Sequence, residues 1–177
     1  MRLTNSKDRY GAFPQFLHWA ITALVIIAWL LGQFVDVLPR GALSIHISTG
    51  LAILLLLAVR LAWRIVDPPP GPERTVLGTW LDHAARLAHY ALYLLLALVP
   101  AVGIIVQFAR GDALSIFGLY EIASPWVKDR AFARSVTEVH EVLANALVAL
   151  AALHAAAALI HHWVLRDRTL LRMLPGS

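Results

Sequence analysis

Eight histidines and the absence of cysteine define the chemistry open to this 177-residue sequence. Four of the histidines lie at matching depths within long apolar stretches: His18, His46, His140 and His154. Burying a titratable side chain in hydrocarbon costs free energy unless something compensates for the lost hydration. Coordination to iron is one such compensation, because the neutral imidazole is the ligand. Without cysteine, thiolate ligands, cysteine-bound iron–sulfur clusters and haem attachment through Cys-x-x-Cys-His are excluded.

Two of these histidines share one predicted helix. His140 and His154 are 14 residues apart. On an α-helix this spacing places them within about 40° of one face and roughly 21 Å apart along the axis. One helix can therefore present two ligands to two stacked sites, one near each surface of a membrane.

Each of these sites needs a second histidine at matching depth on another helix. His46 and His140 each lie five residues into their apolar stretch, at the same end. His18 and His154 lie about 9 Å and about 6 Å from the centres of their stretches, toward the opposite end. The depths predict the pairs His46–His140 and His18–His154, each of which can hold one b-type haem through its iron. His89 lies at about the depth of His18, so it remains an alternative ligand, a residue lining a quinone pocket, or a packing residue.

The elements that must position these histidines are membrane spans. The hydrophobic fraction is 59% and the charged fraction only 15%, which is typical of a membrane protein. A span needs about 20 apolar residues. The sequence predicts a single all-α domain over residues 1–177, a four-transmembrane-helix bundle with helices near residues 13–35, 41–66, 82–108 and 135–165. A capping box over residues 135–138 predicts the start of the last helix, and residues 110–134 predict an interfacial loop or a short surface helix.

The distribution of basic residues predicts the orientation of the bundle. Of the 15 Lys and Arg residues, ten lie on the side of both termini and five on the opposite side. The positive-inside rule then places both termini and the loop between helices two and three in the cytoplasm. Since the basic residues flank apolar stretches instead of forming one polar face, the sequence argues against nucleic-acid binding.

The ordered set of histidine motifs resembles the bacterial cytochrome b561 family over nearly the whole chain. The segments that carry the resemblance lie at residues 17–19, 45–48, 83–89, 139–145, 154–162 and 170–175. The resemblance implies a bacterial inner-membrane protein with two non-covalent b haems, held by one ligand each from helices one and two and by two from helix four. Small free-standing members resemble superoxide oxidases, which pass an electron from superoxide at the periplasmic haem to ubiquinone.

This resemblance suggests roles for further residues. Five cations on the less basic side are candidates for a funnel that attracts superoxide, or are solvated loop charges: Arg40, Arg110, Lys128, Arg130 and Arg134. Arginines near the opposite boundary pair with haem propionates or reach toward lipid headgroups: Arg60, Arg64 and Arg86. His89 and Tyr90 are candidate quinone contacts.

Two other function classes are alternatives to a superoxide oxidase. One is a cytochrome b anchor subunit that relays electrons between a soluble dehydrogenase and the quinone pool. The other is a haem-free transporter, which is disfavoured because each site has two histidines, fewer than the four ligands usual for zinc. The sequence leaves open the electron donor, the haem potentials, the face that binds quinone, a protein partner and the oligomeric state.

Overall fold

Four long helices make up most of the computed structural model, which describes residues 2–35, 37–39, 41–71 and 79–175. Each of the four is long and apolar enough to cross a membrane, as predicted. They are α1 (Ala12–Gln33), α2 (Ala42–Val66), α3 (Thr79–Ala109) and α4 (Arg130–Trp163). Two short strands lie between α3 and α4, β1 (Leu114–Ile116) and β2 (Tyr120–Ile122), and a 3-10 turn at Leu171–Met173 follows α4.

The start of α4 differs from the prediction. The helix begins at Arg130, because the side chain of Asp129 accepts hydrogen bonds from the backbone amides of Ala131 and Phe132. The capping box predicted at Ser135 does not form. Instead the hydroxyl of Ser135 donates to the carbonyl of Ala131 inside the helix. With 34 residues, α4 is about 51 Å long, so its first turns extend beyond a hydrocarbon layer of roughly 30 Å.

The connection between α3 and α4 is a β-hairpin, where a loop or surface helix was predicted. β1 and β2 pair antiparallel, with Ile116 opposite Tyr120. The turn between them places Phe117 at φ 53° and Gly118 at φ 70°. Two consecutive positive φ angles suit a tight hairpin turn, and glycine adopts this conformation without steric cost. The hairpin packs through β1 against α2 and α3.

The helices pack as two hairpins of helices. α1 packs against α2 and α3 against α4; α2 and α3 join the two pairs, whereas α1 and α4 make few contacts. The buried apolar core lies at mid-height and includes Ile21, Val25, Ile53 and Leu147. Large apolar side chains such as Ile65 (82% exposed) and Leu94 (58% exposed) face outward. That outward face is what lipid contact requires, since apolar side chains cost nothing in hydrocarbon.

The end of the bundle that carries the first and last described residues, here called the terminal end, is closed by polar contacts. The backbone amide of Asn5 donates to the carboxylate of Asp67 at 2.8 Å, and Trp19 donates its indole N–H to the carbonyl of Met173 at 2.9 Å. The buried amide of Gln15 donates to the carbonyl of Arg172 at 3.2 Å. The segments before α1 and after α4 are thereby attached to the helices. The opposite end, with the α1–α2 and α3–α4 connections, is called the hairpin end.

A carboxylate just beyond α4 contributes to this closure. Asp167 accepts a hydrogen bond from the ring of His161 and another from the backbone amide of Thr169. Partial burial acts to raise the pKa of Asp167, but the hydrogen bonds from His161 and Thr169 outweigh it and hold the pKa below its ordinary value. Because the folded-state pKa is the lower one, the carboxylate stabilises the fold at neutral pH. That contribution is lost as the pH falls through the folded-state pKa.

We expect Asp167→Asn to lower the free energy of unfolding at pH 7 by about 1–2 kcal/mol, because a charge-assisted hydrogen bond becomes a neutral one. The measurement is the Tm of the detergent-purified protein as a function of pH. The difference between wild type and variant should shrink as the pH falls below the ordinary range for aspartate. Asp8→Asn, an exposed carboxylate at the same end, is the matched control. A difference that persists at acid pH would contradict the interpretation.

Candidate functional site

One pair of histidines meets near the hairpin end. The ring centroids of His46 on α2 and His140 on α4 are 6.1 Å apart, and the ring planes are inclined at 78°. The pair spans the gap between the two hairpins of helices, because each ring comes from a different hairpin. The two residues were paired from depth along the sequence, and the structure brings them together.

The hydrogen bonds of this pair define which ring nitrogen is free. Nδ1 of His46 lies 2.9 Å from the carbonyl oxygen of Ala28 on α1, and Nδ1 of His140 lies 3.0 Å from that of Val99 on α3. A carbonyl only accepts, so each Nδ1 carries the proton and donates. In the neutral imidazole the lone pair is then on Nε2, the form in which histidine binds a metal.

A second cluster of histidines lies toward the terminal end. The ring centroids of His18 on α1 and His154 on α4 are 6.5 Å apart at 76°, which gives the second predicted pair. His89 on α3 lies closer to His154, with 5.0 Å between centroids. Its Nδ1 donates to the carbonyl of Ala85 on its own helix, and its side chain is exposed. The cluster thus contains one pair that spans the hairpins and a third ring at its outer edge.

The two spanning pairs fit a shared iron. Two metal–imidazole bonds of about 2 Å and two half-rings of about 1 Å place the centroids of axial ligands about 6 Å apart. The pairs His46–His140 and His18–His154 have this separation, whereas His89–His154 is shorter. In the described part of the chain, no three His, Asp or Glu side chains converge to hold a metal ion by themselves. A pair of imidazoles suits a metal whose remaining positions are filled by a macrocycle, as in haem.

The residues suggested for propionates and quinone separate into two groups. Arg60 lies inside the bundle, where it donates to the carbonyl of Pro14 at 3.2 Å and lies 3.4 Å from the hydroxyl of Tyr93. Its charge lies within electrostatic range of His18 and His154. By contrast Arg64, Arg86 and Tyr90 are exposed on the outer surface. Sequence reasoning missed Tyr93, although it lies one helical turn after His89.

Four of the five funnel candidates meet at the hairpin end. They line an open hollow of about 650 Å³ with two carboxylates beside them: Arg110, Lys128, Arg130, Arg134, Glu138 and Glu141. Arg134 pairs with Glu138 at 3.2 Å on the surface, and Arg110 contacts the hydroxyl of Thr137 at 3.4 Å. The hollow retains an excess of positive charge. The fifth candidate, Arg40, lies outside the described residues.

Sequence reasoning also missed the partners of the hairpin-end histidines. They are backbone carbonyl oxygens, of Ala28 and Val99, which every residue type carries. The available signal was a glycine four residues after each of them, Gly32 and Gly103. Gly50, one turn after His46, lies beside Pro100 on α3.

Four membrane-length helices that hold histidine pairs between them define a class, the multi-pass membrane electron-transfer proteins. Residues 9–176 match the model of the family described as prokaryotic cytochrome b561, and the chain belongs to that family. Members bind b haem, which fits the imidazole pairs.

Curated relatives agree with this family. Cytochrome b561 homolog 2 of Escherichia coli strain K12 is 33% identical over 183 residues, covering 100% of this chain and 97% of the relative. The probable superoxide oxidase CybB of Yersinia pestis is 36% identical, covering 94% of this chain and 96% of the relative. Cytochrome b562 of Cereibacter sphaeroides is 34% identical, with 89% and 90% covered.

The inclination of the paired rings has a spectroscopic consequence. At 78° and 76° the two imidazole planes of each pair are close to perpendicular. Perpendicular ligand planes donate into different d orbitals of low-spin ferric iron, which keeps those orbitals nearly equal in energy and makes the g tensor strongly anisotropic. We expect the oxidised protein to give electron paramagnetic resonance signals with an unusually high gmax. A spectrum typical of parallel imidazole planes would contradict the ring geometry.

Proposed function

We propose that the protein is a di-haem b-type cytochrome that carries electrons from periplasmic superoxide to membrane ubiquinone. The main support is that two pairs of imidazoles lie at opposite ends of the core, His46–His140 and His18–His154. In both pairs the distance between the rings suits a shared iron. Two superoxide anions each lose one electron and become O₂. One ubiquinone gains those two electrons and two protons and becomes ubiquinol. Bound haem would supply a one-electron carrier at each pair.

The proposed topology follows from the basic residues. With ten of the 15 Lys and Arg residues on the side of the terminal end, both termini lie in the cytoplasm of a bacterial inner membrane. The hairpin end then faces the periplasm. His46 and His140 form the periplasmic site, and His18 and His154 the cytoplasmic one.

The basic hollow supports an anionic substrate at the periplasmic end. Arg110, Lys128, Arg130 and Arg134 line it on the approach to α4, the helix that carries His140. Positive charge around a concave surface raises the local concentration of an anion and its rate of encounter. A relative 36% identical to this chain is named a probable superoxide oxidase, which supports the same substrate here.

Quinone is proposed to approach the terminal end from the lipid. His89 is exposed on α3, and its ring lies 5.0 Å from that of His154. Tyr90 is exposed beside it, so a lipid-soluble ring can reach both. In neutral His89, Nδ1 donates to Ala85 and Nε2 is free to accept a hydrogen bond. Arg60, which lies inside the bundle, is proposed to pair with a haem propionate at this end, and the exposed Arg64 and Arg86 to reach toward lipid headgroups.

Replacing the ligands one at a time tests the two pairs. We expect His140→Ala and His46→Ala each to remove the same haem, and His154→Ala and His18→Ala each to remove the other, because a shared iron needs both imidazoles. The measurement is the haem count per chain with dithionite-reduced spectra. His89→Ala is the matched control and should retain both haems. Loss of the cytoplasmic haem in His89→Ala would indicate that His89, and not His18, is the ligand.

A kinetic measurement tests the substrate. On mixing with superoxide, the oxidised protein should be reduced rapidly without a protein partner, at a rate that falls as ionic strength rises. Arg110→Gln and Arg130→Gln should each lower the rate about 2- to 10-fold at low salt. Arg168→Gln, an exposed charge at the terminal end, should leave it unchanged. A slow, salt-independent reduction would instead favour an anchor subunit that receives electrons from a soluble dehydrogenase.

A further inference from the structure

The two hairpin-end histidines are held by the same local arrangement, repeated in each hairpin of helices. His46 donates to the carbonyl of Ala28, four residues before Gly32, on the helix paired with its own. His140 donates to the carbonyl of Val99, four residues before Gly103, again on the paired helix. Neither ring uses a side chain as its acceptor.

Helix geometry explains why a glycine follows at this spacing. In an α-helix the carbonyl of residue i points toward residue i+4 and already accepts its amide hydrogen. Each Cα–Cβ bond tilts toward the start of the helix, so the Cβ of residue i+4 lies beside that carbonyl. Without that Cβ, the second lone pair of the oxygen is open to a ring from a neighbouring helix.

The available space at both glycines is smaller than a methyl group needs. A Cβ built on Gly32 would lie 3.2 Å from Cε1 of His46 and 3.6 Å from its Nδ1. A Cβ on Gly103 would lie 3.2 Å from Cε1 of His140 and 3.5 Å from its Nδ1. An alanine at either position would press the ring away from the carbonyl, and bonds of 2.9 and 3.0 Å would lengthen.

The terminal-end pair lacks this arrangement. Within the residues that the structure describes, no ring nitrogen of His18 or His154 donates to a backbone carbonyl. A hydrogen bond from the distal N–H of a metal-bound imidazole fixes the ring and raises its basicity. A more basic axial ligand stabilises ferric over ferrous iron, so its presence at one pair alone distinguishes the two sites.

We propose that Gly32 and Gly103 are positioning residues for the hairpin-end site, which open the carbonyls of Ala28 and Val99 to the ligand imidazoles and thereby lower the potential of the haem held there. The inference rests on the proposed ligation of haem by His46 and His140. An electron would then pass downhill from the hairpin-end site to the terminal-end site. The two glycines thus contribute to the direction of transfer without touching the iron.

Alanine variants test the proposal through the reduction potential. In optical redox titrations of the purified protein, Gly32→Ala and Gly103→Ala should each shift the ferric/ferrous ratio of one haem about tenfold toward ferrous at fixed potential, about 59 mV for one electron. The other haem should keep its wild-type potential. Gly50→Ala is the matched control, because its Cβ would meet only Pro100 at an ordinary 3.7 Å. Equal shifts in both haems, a twofold or smaller shift, or a shift as large in Gly50→Ala would overturn the proposal.

A measurement on the unmodified protein does not depend on whether the variants fold. With ¹⁵N-labelled histidine in the diamagnetic ferrous state, two Nδ1–H protons of iron-bound imidazoles should exchange slowly with solvent. Absence of such protons in a protein that holds two haems would reject the glycine inference and leave the proposed function intact. A protein that binds no haem would instead reject the proposed function.

Discussion

The hairpin-end site depends on the requirement that an imidazole in hydrocarbon must use both of its ring nitrogens. A neutral histidine has one donor and one acceptor, and lipid offers a partner to neither. At the hairpin end the donor of His46 is used by Ala28 and the donor of His140 by Val99. Only the two acceptors remain, and they belong to rings that face each other across the gap between the hairpins of helices. The proposed haem iron between them would be the partner of both acceptors.

Two kinds of helix contact meet this requirement: one sets the orientation of each ring and the other brings the two rings together. The orientation of each hairpin-end ring is set within one hairpin, α2 against α1 and α4 against α3, where packing is extensive. The approach of the rings is set between hairpins, where α1 and α4 make few contacts of their own. One direct link there is the indole of Trp29, which donates to Asn145 at 3.0 Å. Under the proposed ligation, shared ligands would add to the packing of α2 against α3 that already joins the two hairpins, and cofactor binding would be coupled to stability.

The sequence predicted the features that depend on apolar length and helical rise, and missed those that depend on local contacts. The four spans and the depth of each histidine depend only on apolar length and helical rise, and the sequence predicted four spans correctly. The start of α4 depended on whether Asp129 or Ser135 caps it, and both have side chains of the right type. The β-hairpin before α4 was missed because Phe117 adopts a positive φ that its residue type does not suggest. The acceptors at Ala28 and Val99 were missed because every residue type carries a backbone carbonyl, and the mark they leave on the sequence is a glycine four residues later.

The two ends of the bundle differ in the groups that surround their histidines. The hairpin end has two rings fixed by the backbone and a hollow rich in arginine. The terminal end has His18 and His154 with an exposed third histidine, His89, against them and Arg60 inside the bundle. Fixed, basic ligands favour the oxidised state of a bound iron, whereas nearby positive charge favours the reduced state, because reduction removes one positive charge. The fixed ligands at the hairpin end and Arg60 at the terminal end both favour the terminal end as the site that holds the electron, whereas the arginines of the hollow act in the opposite direction at the hairpin end. The asymmetry therefore lies in backbone carbonyls and one half-buried arginine, Arg60, not in the ligands themselves, which are histidines at both sites.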